Sequence, residues 1–166
     1  MTEEKTQVTI EENPRPSWDE YFMDVMHALS KRATCNRGKT ACLLVKDNHI
    51  ISSGYVGSPS GLPHCDEVGH LMKKVVNEDG SISEHCVRTI HAEQNAILFA
   101  AKNGISTVGS TLYVTVSPCV HCAKVIVAAG ITRVFYKTLY DRSQDGLILL
   151  DKNGIECRQL TDEELA

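Results

Sequence analysis

The sequence has no surplus of basic charge: 17 Lys and Arg stand against 21 Asp and Glu, for a formal net charge of −4. A protein that grips a long polyanion needs a basic field, so long nucleic acid is an unfavoured partner and a small substrate is expected. Also missing is any stretch near the roughly 20 consecutive apolar residues that a membrane span requires. The opening Met1-Thr2-Glu3-Glu4-Lys5 lacks the basic-then-apolar order of a secretory signal. No membrane partner and a cytoplasmic location are therefore expected. Internal repeats and low-complexity segments are absent too. What is present is a chain of 166 residues, 42% hydrophobic, which suits one compact domain with a real core. Its seven cysteines are an odd number, and without a secretory signal they argue for metal-holding thiolates rather than a disulfide framework.

Residues 1–16 are polar, carry Pro14 and Pro16 and keep no period, so they are read as a flexible N-terminal arm ahead of a domain over 17–166. Ser17 with Glu20 three residues on is a capping box, and Trp18, Phe22, Val25, Met26 and Leu29 recur at helical spacing. Ala41 to Val45, the polar turn Lys46 to His49 and Ile50-Ile51 predict a β-hairpin ended by Gly54 and Gly57. Residues 57–89 are the least regular part and are read as an inserted loop region. Beyond it the pattern predicts a helix from His91 to about Asn103, a strand over Thr111 to Val116 and a helix over Cys119 to Ala129. A strand over Thr132 to Tyr136, a helix near Ser143 to Asp151 and a short strand near Ile155 to Arg158 follow. This order predicts an α/β fold, a sheet with helices on both faces.

The chemistry gathers at two predicted helix starts. His91-Ala92-Glu93 opens one and Pro118-Cys119-Val120-His121-Cys122 opens the other, together the signature of zinc-dependent deaminases. One imidazole (His91) and two thiolates (Cys119, Cys122) leave the fourth tetrahedral position of Zn²⁺ open for water, as a catalytic zinc requires. Cys119 and Cys122 lie one turn apart, so both sulfurs face one way at a helix start whose dipole favours thiolate. Glu93, two residues past the imidazole, can reach that water and carry its proton. A lone Cys-x-x-Cys is as often a structural half-site or a redox pair; the preceding Pro118 and the upstream His-x-Glu favour catalysis.

From Ser17 to Leu150 the chain resembles the deoxycytidylate deaminase family, including its relative encoded in bacterial competence operons. The matching segments are Trp18 to Met23, Cys35-Asn36-Arg37, Gly54 to Cys65, Cys86-Val87-Arg88, His91 to Ile97, Tyr113 to Cys119 and Cys122-Ala123-Lys124. The resemblance implies a three-layer α/β/α fold with a mixed five-stranded sheet and zinc-dependent conversion of dCMP to dUMP, the precursor of dTMP. It also implies a homo-oligomer, often a hexamer, with dCTP as activator and dTTP as inhibitor.

Two departures stand out. Val56 replaces the usual Asn of the Gly-Tyr-Asn-Gly segment, which removes an amide that could recognise the sugar or an effector. Gly38-Lys39-Thr40-Ala41 replaces a basic pair followed by Val-Gly-Ala, and Arg37, Lys39 and Ser58 become the phosphate candidates. Ala92, Ser117 and Tyr140 join Arg37 and Ser58 as expected substrate contacts, with Asn95 and Tyr113 as bracing or packing residues. Relatives with this cysteine pattern bind a second zinc, which implies a structural site at Cys35, Cys65, His70 and Cys86. His64 and His85 are alternative ligands, and free thiols are the alternative to any site; Cys42 and Cys157 fit free thiols. The competing functions are a deaminase of another nucleobase or a modified cytosine nucleotide, and a non-catalytic nucleotide-sensing protein, against which the retained Glu93 argues.

Overall fold

The computed structural model describes residues 15–76, 80–161 and 163. Most of the expected arm, residues 1–14, lies outside them. Ser17 starts the first helix, α1 (Trp18–Ser30), by accepting the Glu20 amide at 3.1 Å. Strands β1 (Ala41–Lys46) and β2 (His49–Tyr55) follow, joined by Asp47 and Asn48 at φ of 50° and 60°. Those positive angles make the two-residue turn that suits strand twist, and Asp and Asn tolerate them. Gly54 does not end β2, as the sequence suggests, but lies inside it.

The region 57–89 carries more regular structure than expected: a short helix α2 (Cys65–Val68) and an antiparallel pair, β3 (Met72–Val76) with β4 (Ile82–Cys86). The remaining elements are α3 (Ala92–Lys102), β5 (Thr111–Val116), α4 (Val120–Ala128), β6 (Arg133–Thr138), α5 (Asp145–Lys152) and β7 (Glu156–Gln159). Each falls within a residue or two of the expected bounds.

The main sheet has the order β2-β1-β5-β6-β7. Strand β1 is antiparallel to both its neighbours, whereas β5, β6 and β7 run parallel. The sheet is therefore mixed and five-stranded. Strand alternation divides the core in two. Ala41, Leu43, Val45, Tyr113 and Phe135 face α1 through Phe22, Met23 and Met26. Cys42, Leu44, Leu112, Val114, Val134 and Tyr136 face the other layer, where Ala92, Ala96, Ala123, Ile126 and Leu150 come from α3, α4 and α5. Burial of this many aliphatic side chains on both faces stabilises the three-layer arrangement at about 25 cal/mol per Å² of apolar surface.

Two glycines set the spacing of that second layer. A methyl group at Gly54 would collide with the Ala92 carbonyl and stand 2.5 Å from the Ala96 nitrogen. One at Gly146 would collide with the Pro118 carbonyl and stand 2.9 Å from the Cys119 carbonyl carbon. Both close approaches lie directly behind the chemistry-bearing segments.

Candidate active site

His91 is the N-cap of α3 and Cys119 the N-cap of α4, both with extended backbone. Neither side chain caps its own helix, which leaves the ring and the sulfur free to point outward. Strand β5 delivers Ser117, Pro118 and Cys119 at its carboxyl end, the end where parallel α/β sheets place their ligands. Cys122 follows within the first turn of α4. The His91 Nδ1 lies 3.6 Å from Cys119 Sγ and 3.3 Å from Cys122 Sγ.

Those separations can be tested against zinc chemistry. Zn–S near 2.3 Å and Zn–N near 2.0 Å at tetrahedral angles put neighbouring ligand atoms about 3.5 to 3.8 Å apart. The three donors of this group all lie within 4.8 Å of one another. They fit a three-ligand zinc with one coordination position to spare.

The electrostatics agree with a metal-binding pair. The neighbouring Cys122 and His91 hold the Cys119 thiol down to about 3 against the opposing effect of burial, whereas Cys122, hydrogen-bonded to Cys119 and buried, is pushed up. One thiolate is thus ready, and a dication supplies the charge that ionises the second. Glu93 is only 6% exposed, and burial raises its carboxyl above the usual range, with the His91 charge opposing. A carboxyl moved toward neutrality is suited to taking up and giving back a proton.

The donors open onto a cavity of about 480 Å³ whose walls include Arg37, Thr40, Val56, His85, Ser117 and Tyr140. Val114 and Val116 supply apolar wall, and Glu93 and His91 line the same cavity. Among the expected substrate contacts, Arg37, Ser117 and Tyr140 are in the wall, and the Tyr140 amide donates to Ser117 Oγ at 2.8 Å. Ser58 and Ala92 are not: Ser58 is buried outside the cavity with no hydrogen-bond partner for its hydroxyl among the described residues, and Ala92 is fully buried against the sheet. Lys39 lines a different cavity, between α1 and the sheet. Asn95 braces the scaffold by donating to the Tyr55 carbonyl at 2.7 Å, and Tyr113 packs in the α1 layer with its hydroxyl donating to Asp19.

Two cavity residues, His85 and Arg142, are not among the substrate contacts expected from the sequence. Arg142, two residues past Tyr140, stands with Nη1 3.4 Å from His85 Nε2. His85 was weighed only as a ligand, and its place beside Cys86 in an alternating segment is the one signal that points it elsewhere.

Cys35, Cys65, His70 and Cys86 form a second cluster, again with donor atoms within 4.8 Å of one another. Cys65 Sγ and Cys86 Sγ are 3.6 Å apart, and Cys35 Sγ and His70 Nδ1 3.7 Å. His70 Nε2 donates to Asn36 Oδ1 at 2.8 Å, which turns Nδ1 toward the sulfurs. His64 instead contacts the Thr34 hydroxyl, and His85 faces the cavity. Cys42, fully buried in the core, is pushed well up by that burial, and burial pushes Cys157 up to about 11, so neither is a ready thiolate.

An α/β/α sandwich with paired helix starts presenting His-x-Glu and Cys-x-x-Cys to one cavity defines a zinc-dependent deaminase scaffold. Residues 16–138 match the cytidine and deoxycytidylate deaminase zinc-binding region, and the chain belongs to that family. It is 40% identical to ComE operon protein 2 of Bacillus subtilis over 91% of this chain and 75% of that protein. It is 34% identical to the deoxycytidylate deaminase of Schizosaccharomyces pombe over 90% of this chain, which spans only 46% of the yeast protein. Among solved structures, the dCMP deaminase of cyanophage S-TIM5 in complex with dCMP and dUMP superposes with a TM-score of 0.72 at 34% identity, covering 89% of this chain and all 100% of that one. No helix among the described residues is long and apolar enough to cross a membrane.

Proposed function

We propose that this protein hydrolyses dCMP to dUMP and ammonia, as a cytoplasmic enzyme supplying dUMP for dTMP synthesis. The observation that carries the reading is the buried Glu93 beside the His91, Cys119 and Cys122 donors, in a cavity whose walls also hold Arg37, His85 and Arg142. A zinc ion held by the three donors would supply the Lewis acidity that makes water nucleophilic near neutral pH.

The chain's own residues handle the protons and the orientation. Glu93 accepts a proton from the attacking water and passes it to N3 of the pyrimidine. It then carries the second proton to the exocyclic amine, so that the C4–O bond forms, the C4–N bond breaks and ammonia leaves. The apolar wall of Val114 and Val116 suits a flat base, and Val56 offers shape without a hydrogen bond to the sugar. In the cavity wall Arg37 and Arg142, with His85, are the groups suited to a 5′-phosphate. Glu84 and Asp141 share that wall, so the phosphate site is mixed in charge and depends on how its cations are held.

The domain of this activity is residues 17–166, with 57–89 as an insertion that binds a second, structural zinc through Cys35, Cys65, His70 and Cys86. Assembly as a homo-oligomer, a hexamer by resemblance, is supported by Leu98 and Phe99, which stand 56% and 53% exposed on α3. Activation by dCTP and inhibition by dTTP rest on the family resemblance. The deciding experiment measures ammonia release from dCMP, CMP, deoxycytidine and dCTP side by side, each with and without a trace of dCTP. Turnover of dCMP far above the others is expected. Silence on all four would overturn the reading in favour of a nucleotide-sensing protein or another base.

A further inference from the structure

The second cysteine cluster is not remote from the cavity: Cys35 and Cys86, two of its four donors, stand in the cavity wall. Arg37 follows Cys35 by two residues, and His85 immediately precedes Cys86. Arg37 and His85 are therefore carried on the two segments that the cluster joins.

Those segments are otherwise held by a small apolar cluster and by polar ties. The β3–β4 pair is largely exposed, with Val76 71% and Ile82 65% accessible, and its Cys86 end packs on the small buried cluster of Ala33, Cys35, Val56 and Cys65. Among the described residues, the hydrogen bonds near β4 include three from side chains or backbone of the neighbouring segments. Arg37 Nη2 donates to the Glu84 carbonyl at 3.2 Å, the Val87 amide to the Leu71 carbonyl at 2.9 Å, and Arg88 Nε to the Gly69 carbonyl at 3.0 Å. Arg142 Nη1 stands 3.4 Å from His85 Nε2, Gly57 and Ile90 pair through their backbones, and Cys65 Sγ lies 3.6 Å from Cys86 Sγ. Three sulfurs and one imidazole fill a tetrahedron and leave no open position, so a metal here cannot take part in the chemistry directly. It can fix geometry, since such a site contributes folding energy where the local core is thin.

We propose that metal bound at Cys35, Cys65, His70 and Cys86 is a positioning element for phosphate recognition: it holds the Arg37 loop and the His85 end of β4 at the spacing that lets both, with Arg142, meet a nucleotide 5′-phosphate. This rests on reading the cavity as a nucleoside-monophosphate site. The Arg37 side chain reaches across to the β4 backbone, so a shift of either segment moves both cations at once. The His91, Cys119 and Cys122 donors sit at the starts of α3 and α4 instead.

The test compares full-chain protein with His70→Ala and His70→Cys, the latter keeping four donors. Zinc per chain is measured by atomic absorption, and calorimetry gives the affinities for dUMP and for deoxyuridine, which differ only in the phosphate. Wild type and His70→Cys should hold two zinc ions and favour dUMP. His70→Ala should hold one ion, lose about 10- to 100-fold in dUMP affinity, the scale of a charge-assisted hydrogen bond, and bind deoxyuridine unchanged within about twofold. Should His70→Ala fail to fold, Asn36→Ala, which only loosens His70, gives the same readout at low free zinc. One zinc ion in the wild type, undiminished dUMP affinity in a one-zinc variant, or equal loss of both ligands would each overturn the proposal. Binding alone is read, so absence of deaminase activity would defeat the proposed reaction without deciding this one.

Discussion

Glu93 and Tyr113 show how differently two buried titratable groups can be employed. Glu93 ends against the cavity, raised by burial and flanked by the His91 and Cys119 donors. Replacing it with Ala should lower turnover of dCMP by at least about a hundredfold, the usual scale of a positioned acid-base group. The zinc content by atomic absorption should not change, because Glu93 is not needed as a ligand. Tyr113 is buried in the α1 layer, and burial followed by the Asp19 contact raises its phenol. Its hydroxyl donates to Asp19, whose other oxygen receives Arg158. A phenol raised on folding contributes stability that is intact below the unfolded value of about 10 and is lost as the pH climbs through the folded value. Tyr113→Phe should cost about 1 to 2 kcal/mol in urea unfolding at pH 7. It should also lose less stability than wild type between neutral pH and the alkaline side of that window.

At the scale of elements, the catalytic placement depends on how closely α3 can approach β2. Gly54 permits that approach, and Gly54→Ala should push the first turn of α3 outward, lowering stability by about 1 to 3 kcal/mol and reducing bound zinc, both measurable on one preparation. The sequence pattern shows Gly54 as a strand end because glycine is ordinarily a breaker. Its actual role answers to Ala92 and Ala96 from another element, which no local window contains. Most elements were legible for the opposite reason: Ser17, the Asp47-Asn48 turn and the short apolar runs of β1 and β5 act locally. The grouping of His91, Cys119 and Cys122 was legible as well, since tetrahedral ligation constrains their spacing, and Glu93 was legible from its place two residues past the imidazole. The pairing of His85 with Arg142 was not, because the two come together only when the β3–β4 pair is set against the loop after β6. Ser58 and Ala92 look like substrate contacts in sequence because they neighbour the motifs, yet burial takes Ser58 out of reach and keeps the Ala92 side chain against the sheet.

At the scale of the whole molecule, metal binding and folding are one equilibrium. Ligands that bind only the native state stabilise it in proportion to the logarithm of their saturation. Stripping zinc with a strong chelator should lower the thermal midpoint by several degrees, and zinc, but not magnesium, should restore it, since thiolate and imidazole donors disfavour the harder ion. A midpoint indifferent to chelation would mean that neither donor group holds metal in solution. Light scattering on the zinc-loaded protein should report an oligomer, and Leu98→Glu with Phe99→Glu should shift it toward smaller species if α3 is a contact face.

The strand order carries a consequence in time as well as in space. Strands β5 and β6 each pair with the next strand in the chain, whereas β1 meets β5 across the whole intervening sequence, with Cys42 opposite Val114. Short loops close sooner than long ones. The half that carries Cys119 and Cys122 can therefore assemble early, while His91 and Glu93 arrive on α3 only as β1 and β2 dock. Two sulfurs wait for an imidazole, and the completion of the triad marks the last long-range step of folding.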